Sequence, residues 1–293
     1  MKIIMYHYVH NKEEYNVSLK SLSVYQFEKQ IRYLKKNYDI IDPSKFFSII
    51  EGNKRHKNYV LLTFDDGYKD HIKNVEPILN IYNIKALFFI STSTLKENSF
   101  LDVNKIQILL EKFNDDIELI RVLKKELDHT TNINFGYKNP NSFDNNVRSE
   151  IKNLLQWKIE EKIRSKLLDD LFNQYCKNEI NSTNFYMNLH DLKSLLRKGH
   201  HIGLHTHNHN NLMRLGMDEQ KIDIIKSLNY LKKRSLLKNP ISFCYPYGQY
   251  NLNTLKILKN LKIKYGFKIG NKDFNRKYNY LEIPRIDTKL IQL

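Results

Sequence analysis

The stretch YVLLTFDDG, residues 59–67, constrains this chain more than any other. Its first six residues are apolar, aromatic or β-branched without a break. A strand with one face in water would alternate, so a strand buried on both faces is predicted, as in a parallel sheet covered by helices. The run stops at two adjacent carboxylates, Asp65 and Asp66, and then Gly67. Helical spacing follows over about 70–82, and then a second buried strand, KALFFIS, 85–91. Strand, helix, strand is a βαβ unit and predicts an α/β fold. Folds of this kind gather their sites at the carboxyl ends of the strands. Two neighbouring carboxylates repel, and one needs a cation or a proton. Asp and Gly are also ordinary turn residues, so the stretch alone leaves both readings open.

The pattern recurs along the chain. KIIMYHYV (2–9) reads as a first strand, and Phe27, Ile31 and Leu34 mark one face of a helix over 25–37. Later come a helix in LHDLKSLLRKG, a strand in HIGLH, a helix over 218–234, a strand in ISFCYPYG, a helix over 252–261 and a strand in YGFKIG. Residues 95–185 break this alternation. They are rich in Lys, Glu and Asn, with helical periods in VNKIQILLEKF, IELIRVLKKEL and IKNLLQWKIEEKIRSKLLDDLF. Between the last two lies TTNINFGYKNPNSFDNN, which reads as loop. The prediction is an α/β domain over 1–94 and 186–293 with an α-helical insertion, whose Trp157 is expected to anchor the helical core.

Two further stretches carry chemistry. GLHTHNHNNL holds His205, His207 and His209. The strand HIGLH ends on His205, just as YVLLTF ends against Asp65. If the chain turns helical there, His205 and His209 share a face; if it stays extended, all three histidines do. An Asp and two His with an open position form a catalytic metal set, whereas a polar histidine-rich turn is the plainer reading. In FCYPYG, Pro246 fixes the backbone, and nearby N–H groups can aim into a site. A simple strand-ending turn would look the same.

Taken in order, TFDDG, GHHIGLHTHNHNNL and FCYPYG resemble the successive motifs of the polysaccharide deacetylases, carbohydrate esterase family 4. The flanks LLTFDDGYKD, PILNIYNIKALFFIST and DLKSLLRKGHHIGLHTHNH add to the likeness, which covers about residues 1–94 and 186–288. The resemblance implies a distorted (β/α) barrel. It implies that Asp65 is the catalytic base and that Asp66, His205 and His209 bind a divalent metal, usually Zn2+, with Co2+, Ni2+ or Mn2+ as alternatives. Thr206 takes the motif's small-hydroxyl position, and His207 falls on a variable one. Tyr247 would offer a backbone N–H to the oxyanion, and Thr206, Tyr245 and Pro246 are expected to meet substrate. Two departures stand out. Cys244 occupies the place of the family's usual arginine, and Arg285 in IPRID is the candidate substitute. No histidine follows Arg285 to act as general acid. MYHYV offers His7, as in a branch of the family with an N-terminal YHxV motif and a FAYPYG-like motif.

The function expected from this likeness is metal-dependent removal of an N-acetyl group from an amino sugar in a poly- or oligosaccharide or a lipid- or nucleotide-linked precursor. An O-acetyl esterase or deformylase keeps the metal and changes the bond. An inactive glycan-binding module would fit Cys244, but binding alone needs no base beside a metal. The formal net charge of +16 comes from lysines spread along the chain and mixed with acids, so it reads as compositional bias more than as an anion-binding face, and no nucleic-acid partner is expected. No apolar stretch reaches the ~18 residues of a membrane span, and the N-terminal apolar run is too short for a signal peptide. The two cysteines, Cys176 and Cys244, form no CxxC. These features predict a cytoplasmic protein, with peripheral membrane contact and a homo-oligomer through the insertion left open.

Overall fold

The computed structural model describes residues 1–11, 21–52, 58–96, 99–113, 115–128, 147–275 and 277–291. They fall into two compact units, one from the described residues of 1–99 and 182–293, the other from those of 100–181. The first unit holds eight strands: β1 (Lys2–Tyr6), β2 (Asp39–Ile40), β3 (Tyr59–Phe64), β4 (Leu87–Ile90), β5 (His201–Leu204), β6 (Ser242–Cys244), β7 (Tyr265–Ile269) and β8 (Ile283–Asp287). Every pairing among them is parallel. β1 pairs with both β3 and β8, which closes a seven-stranded barrel, and β2 lies outside the ring against β3. This is the distorted (β/α) barrel that the motifs implied.

The helices are α1 (Val24–Asn37), α2 (Pro43–Glu51), α3 (Glu76–Ile81), α4 (Asp102–Lys112), α5 (Asp116–Asp128), α6 (Val147–Asn153), α7 (Glu161–Tyr175), α8 (Ser182–Phe185), α9 (Leu189–Arg197), α10 (Met217–Lys232) and α11 (Leu252–Asn260). Of these, α4 to α7 build the second unit. The period-2 pleat divides the strand side chains into two cores. Ile4, Tyr6, Leu62, Phe64, Phe88, Ile202, Leu204 and Phe243 pack with apolar residues of the surrounding helices. Ile3, Leu61, Leu87, Phe89, Cys244, Phe267 and Ile283 form the other cluster with Phe46 and Phe47 of α2. Each such side chain, fully buried, contributes roughly 1.5–3 kcal/mol. Gly203 on β5 is required by this filling, because a Cβ there would come within 2.6 Å of the Phe89 ring.

The sequence reading did not predict α2. Asp42 caps it by accepting from the Lys45 N–H, and Pro43 opens it. Its apolar residues, Pro43, Phe46, Phe47, Ile49 and Ile50, line one face, but over only 9 residues. Phe47 stacks on Tyr265 at the start of β7, with ring centroids 4.6 Å apart, and Ser44 Oγ lies 3.0 Å from His201 Nε2 at the start of β5. Thus α2 lies against the amino end of the barrel.

The second unit differs at its edges from the expected insertion, 95–185. Helix α8 joins the barrel unit, where Phe185 packs edge-on to Tyr68 at 5.6 Å. Trp157 does not anchor the insertion core. It is 39 % exposed on the wide turn Leu154–Lys158, and aliphatic residues such as Leu109, Leu123, Leu155 and Leu168 fill the interior instead. Arg164, almost fully buried there, is paired with Asp102 and Glu161. The expected loop 130–146 lies outside the described residues. No helix among the described residues is long and apolar enough to cross a membrane.

Candidate active site

Five residues meet at the carboxyl end of the barrel. His7 follows β1, Asp65 follows β3, His205 follows β5, Cys244 ends β6, and Arg285 lies on β8. Arg285 forms a two-pronged pair with Asp65, Nη1 to Oδ1 at 2.7 Å and Nη2 to Oδ2 at 2.6 Å, with both side chains buried. The same guanidinium donates to Thr63 Oγ1 at 3.1 Å, reaches Cys244 Sγ at 2.9 Å and lies 5.5 Å from the Phe89 ring centre. Burial opposes the charge on Asp65, but the Arg285 guanidinium outweighs it and holds the carboxyl below the usual carboxylate range. His7 Nε2 stands 3.8 Å from Asp65 Oδ2, on a side chain 42 % exposed.

Asp66 presents a different carboxylate. Tyr68 donates its hydroxyl to Oδ2 at 2.7 Å, and Oδ1 is buried with no hydrogen-bond partner. The Nε2 atoms of His205 and His209 each lie 3.3 Å from that Oδ1. His205 Nδ1 is 2.9 Å from the Cys244 carbonyl, which only an N–H can satisfy. In the neutral form that a metal ligand takes, this ring turns its Nε2 lone pair toward the Asp66 oxygen. A lone pair facing an anionic oxygen repels it unless a cation lies between them. Two imidazole nitrogens and one carboxylate oxygen, all within 4.8 Å of one another, form a donor set that suits zinc with positions left for water and substrate. Burial opposes the charge on Asp66 too, but His209 and His205 outweigh it and hold the carboxyl far below its usual range. A second group, Asp65, His205 and Cys244, is equally compact. It is a poorer ligand set, because Arg285 engages both Asp65 oxygens and burial pushes the Cys244 thiol up, away from thiolate.

The backbone that presents these groups is unusual. The chain does not turn helical after His205. Thr206 and His209 adopt left-handed backbone, φ 61° and 59°, and Thr206 Oγ1 accepts the His209 N–H at 2.9 Å. His207 turns aside, its Nδ1 2.8 Å from Thr92 Oγ1. Tyr247 is also left-handed, φ 58°, and its ring lies edge-on to His209 at 4.9 Å. Among the described residues eight non-glycine positions have positive φ, and four of them, Asp66, Thr206, His209 and Tyr247, belong to this site. Each costs of order 1–3 kcal/mol and persists only where its surroundings hold it, a pattern that clusters at functional sites.

A sequence profile described as "Polysaccharide deacetylase" matches residues 52–133 and 172–266, more than half of the chain. The chain belongs to the polysaccharide deacetylase family. Among its relatives is the poly-beta-1,6-N-acetyl-D-glucosamine N-deacetylase of Staphylococcus aureus, 25 % identical over 270 residues that span 91 % of this chain and 67 % of that protein. Two solved structures share the fold. The Streptococcus pyogenes deacetylase PplD, in complex with acetate, has a TM-score of 0.61 at 20 % identity, covering 98 % of this chain and 91 % of its own. IcaB from Ammonifex degensii has a TM-score of 0.61 at 18 % identity, with the same coverage, 98 % and 91 %.

In this family member, three residues expected to touch substrate lie elsewhere. Thr206 is fully buried and spends its hydroxyl on His209. Tyr245 is 1 % exposed, stacks on Tyr250 and donates to the Leu281 carbonyl at 2.6 Å. Pro246 is buried in the turn before Tyr247. All three shape the site from behind. The sequence reading also passed over the residues just after DDG. His71 Nε2 donates to the His7 carbonyl at 2.7 Å, Asp70 Oδ2 accepts the Val9 N–H at 2.8 Å, and Asn74 Nδ2 donates to the Val9 carbonyl at 2.9 Å. This clamp fixes the segment carrying His7. The available signal was YKDHIKN, polar residues at the start of the stretch read only as helical spacing over about 70–82.

Proposed function

We propose that this chain is a metal-dependent hydrolase that removes the N-acetyl group from an amino sugar in a glycan, with β-1,6-linked N-acetylglucosamine as the sugar class. The observation that carries the reading is the buried, unpartnered Asp66 Oδ1 facing two imidazole nitrogens, beside an Asp65 held ionised by Arg285. The substrate class rests on the printed name of the Staphylococcus aureus relative.

Asp66, His205 and His209 would hold the metal, with Zn2+ as the ion the donor set favours. When bound, such an ion lowers the pKa of a water and polarises the amide carbonyl. Asp65 takes the proton of the attacking water, and Arg285 keeps that carboxylate ionised for the task. His7, half-exposed beside Asp65, gives a proton to the departing amine. The Tyr247 backbone N–H faces the negative charge that develops on the carbonyl oxygen. Acetate leaves and a free amine remains on the sugar.

The test is acetate release from β-1,6-linked N-acetylglucosamine oligomers, with the protein stripped by chelator and then given zinc. The expected outcome is release that depends on zinc and vanishes in Asp66→Asn. Release unchanged in the stripped protein would overturn the metal reading. Release from O-acetylated or N-formylated sugars alone would replace the substrate bond.

A further inference from the structure

We infer that Ser91 and Asp223 are the positioning residues of the candidate metal site: they hold the backbone of residues 205–208 in the shape that brings His205 and His209 to Asp66. This rests on the metal reading above. The two histidine rings are supported unequally. His205 is oriented through its own ring, whose Nδ1 meets the Cys244 carbonyl. The His209 Nδ1 is buried and has no hydrogen-bond partner. Metal-bound histidines ordinarily have such a partner on the second nitrogen, and it fixes the ring. The direction of the His209 ring therefore depends on its backbone, and that backbone is left-handed at both Thr206 and His209.

Something outside the loop must hold it, and two elements do. Just after β4, the fully buried Ser91 donates its hydroxyl to the His205 carbonyl at 2.8 Å. The next two residues continue the contact, Thr92 N–H to the Thr206 carbonyl at 3.3 Å and Ser93 N–H to the His207 carbonyl at 2.9 Å. From α10, Asp223, 5 % exposed, accepts the Asn208 N–H on Oδ1 at 3.1 Å. Burial pushes this carboxyl up to about 6, against the Asn208 N–H, the Thr206 hydroxyl and the His207 N–H, which favour its charged form. Ser91 thus holds the carbonyl side of the loop and Asp223 its N–H side. Neither residue touches the Asp66 oxygen or the ligand nitrogens, so each acts through the loop.

The test is zinc affinity, measured on chelator-stripped protein by competition with a chromophoric chelator. The variants are Ser91→Ala, Asp223→Asn and a control, Asp191→Asn, which removes a buried carboxylate from the cap of α9. Near-ultraviolet circular dichroism and melting of the zinc-free protein report folding. Ser91→Ala and Asp223→Asn should bind zinc about 10–100-fold more weakly while folded. The control should lose thermal stability and keep its affinity. Zinc affinity equal to wild type in both folded variants overturns the inference and leaves the metal reading standing. Absence of zinc binding by the wild type overturns both. If Asp223→Asn does not fold, Ser91→Ala decides, since it removes one hydroxyl and leaves every other contact in place.

Discussion

Strand β5 has buried histidines at both ends, and His205 at its carboxyl end behaves in the opposite way to the pair at its amino end. At the amino end stand His200 and His201, both buried. His200 Nδ1 accepts the Ala86 N–H at 3.1 Å, and His201 meets Ser44. Burial pushes His200 down to about 3, helped by Lys85 and Lys198. Burial pushes His201 down as well, with Lys238 adding to it. Among the described residues no carboxylate lies within ion-pair distance of either ring, so each is a neutral packing residue. At the carboxyl end stands His205, as deeply buried. Burial would lower it too, but the Cys244 side chain and the carboxylates of Asp66 and Asp65 outweigh it and draw it well above the usual imidazole range. A buried histidine is therefore no signal by itself. The orphaned carboxylate oxygen opposite it makes the difference.

The comparison can be broken most directly at its metal end. His205→Ala should strip zinc and silence acetate release, while His201→Ala should keep both by elemental analysis and assay; metal loss in both would erase the distinction. Asp65→Asn should retain zinc and lose about 10²–10⁴-fold in rate, the share of a general base. Replacing Arg285 with Met leaves the buried Asp65 carboxylate unpaired, and urea unfolding should show a loss of about 3–5 kcal/mol. The pH dependence sharpens the contrast. The folded state keeps His200 and His71 neutral, at about 3 and about 4, because burial lowers both. The unfolded chain protonates them near 6.5, so their stability is present above that pH and is lost as pH falls toward the folded values. Between pH 6.5 and 5 each should cost about 2 kcal/mol, and His200→Asn should flatten the acid limb of stability without touching zinc. At His205 acid acts on metal binding instead, because protons compete with the metal for Nε2 and zinc affinity should fall on acidification. The smallest effect belongs to His207→Ala, which should keep its zinc and lose only the hydrogen bond to Thr92, about 1 kcal/mol.

Much of the barrel was legible because buried parallel strands write themselves as unbroken apolar runs. YVLLTF, KALFFIS and HIGLH are such runs, and the carboxyl ends of two of them carry Asp65 and His205. Strand β8 escaped, because IPRID mixes a proline and a buried arginine into a strand whose charge is matched only by Asp65 across the barrel. Helix α2 escaped because its stripe, Pro43, Phe46, Phe47 and Ile50, lies within a helix of only 9 residues, too short for the period to stand out. The pairing of His205 with His209 was legible from spacing, but its geometry was not. The expected route was a helical turn, whereas the chain uses left-handed backbone held by Thr206, a conformation that no periodicity announces. Asp70, His71 and Asn74 were invisible for a related reason: each holds a backbone atom far along the chain, which leaves no pattern in sequence.

The Asp65–Arg285 pair joins residues 220 positions apart, and β1 completes the ring by lying between β3 and β8. Ring closure is therefore a long-range event, the kind of contact that slows folding through the entropy of large loops. Until β8 docks, β1 and β8 both present open backbone edges, and the Asp65 carboxylate lacks its counter-charge. Catalytic competence should appear together with the last cooperative step of refolding, and a chain arrested before that step would expose sheet edges that invite pairing with other chains.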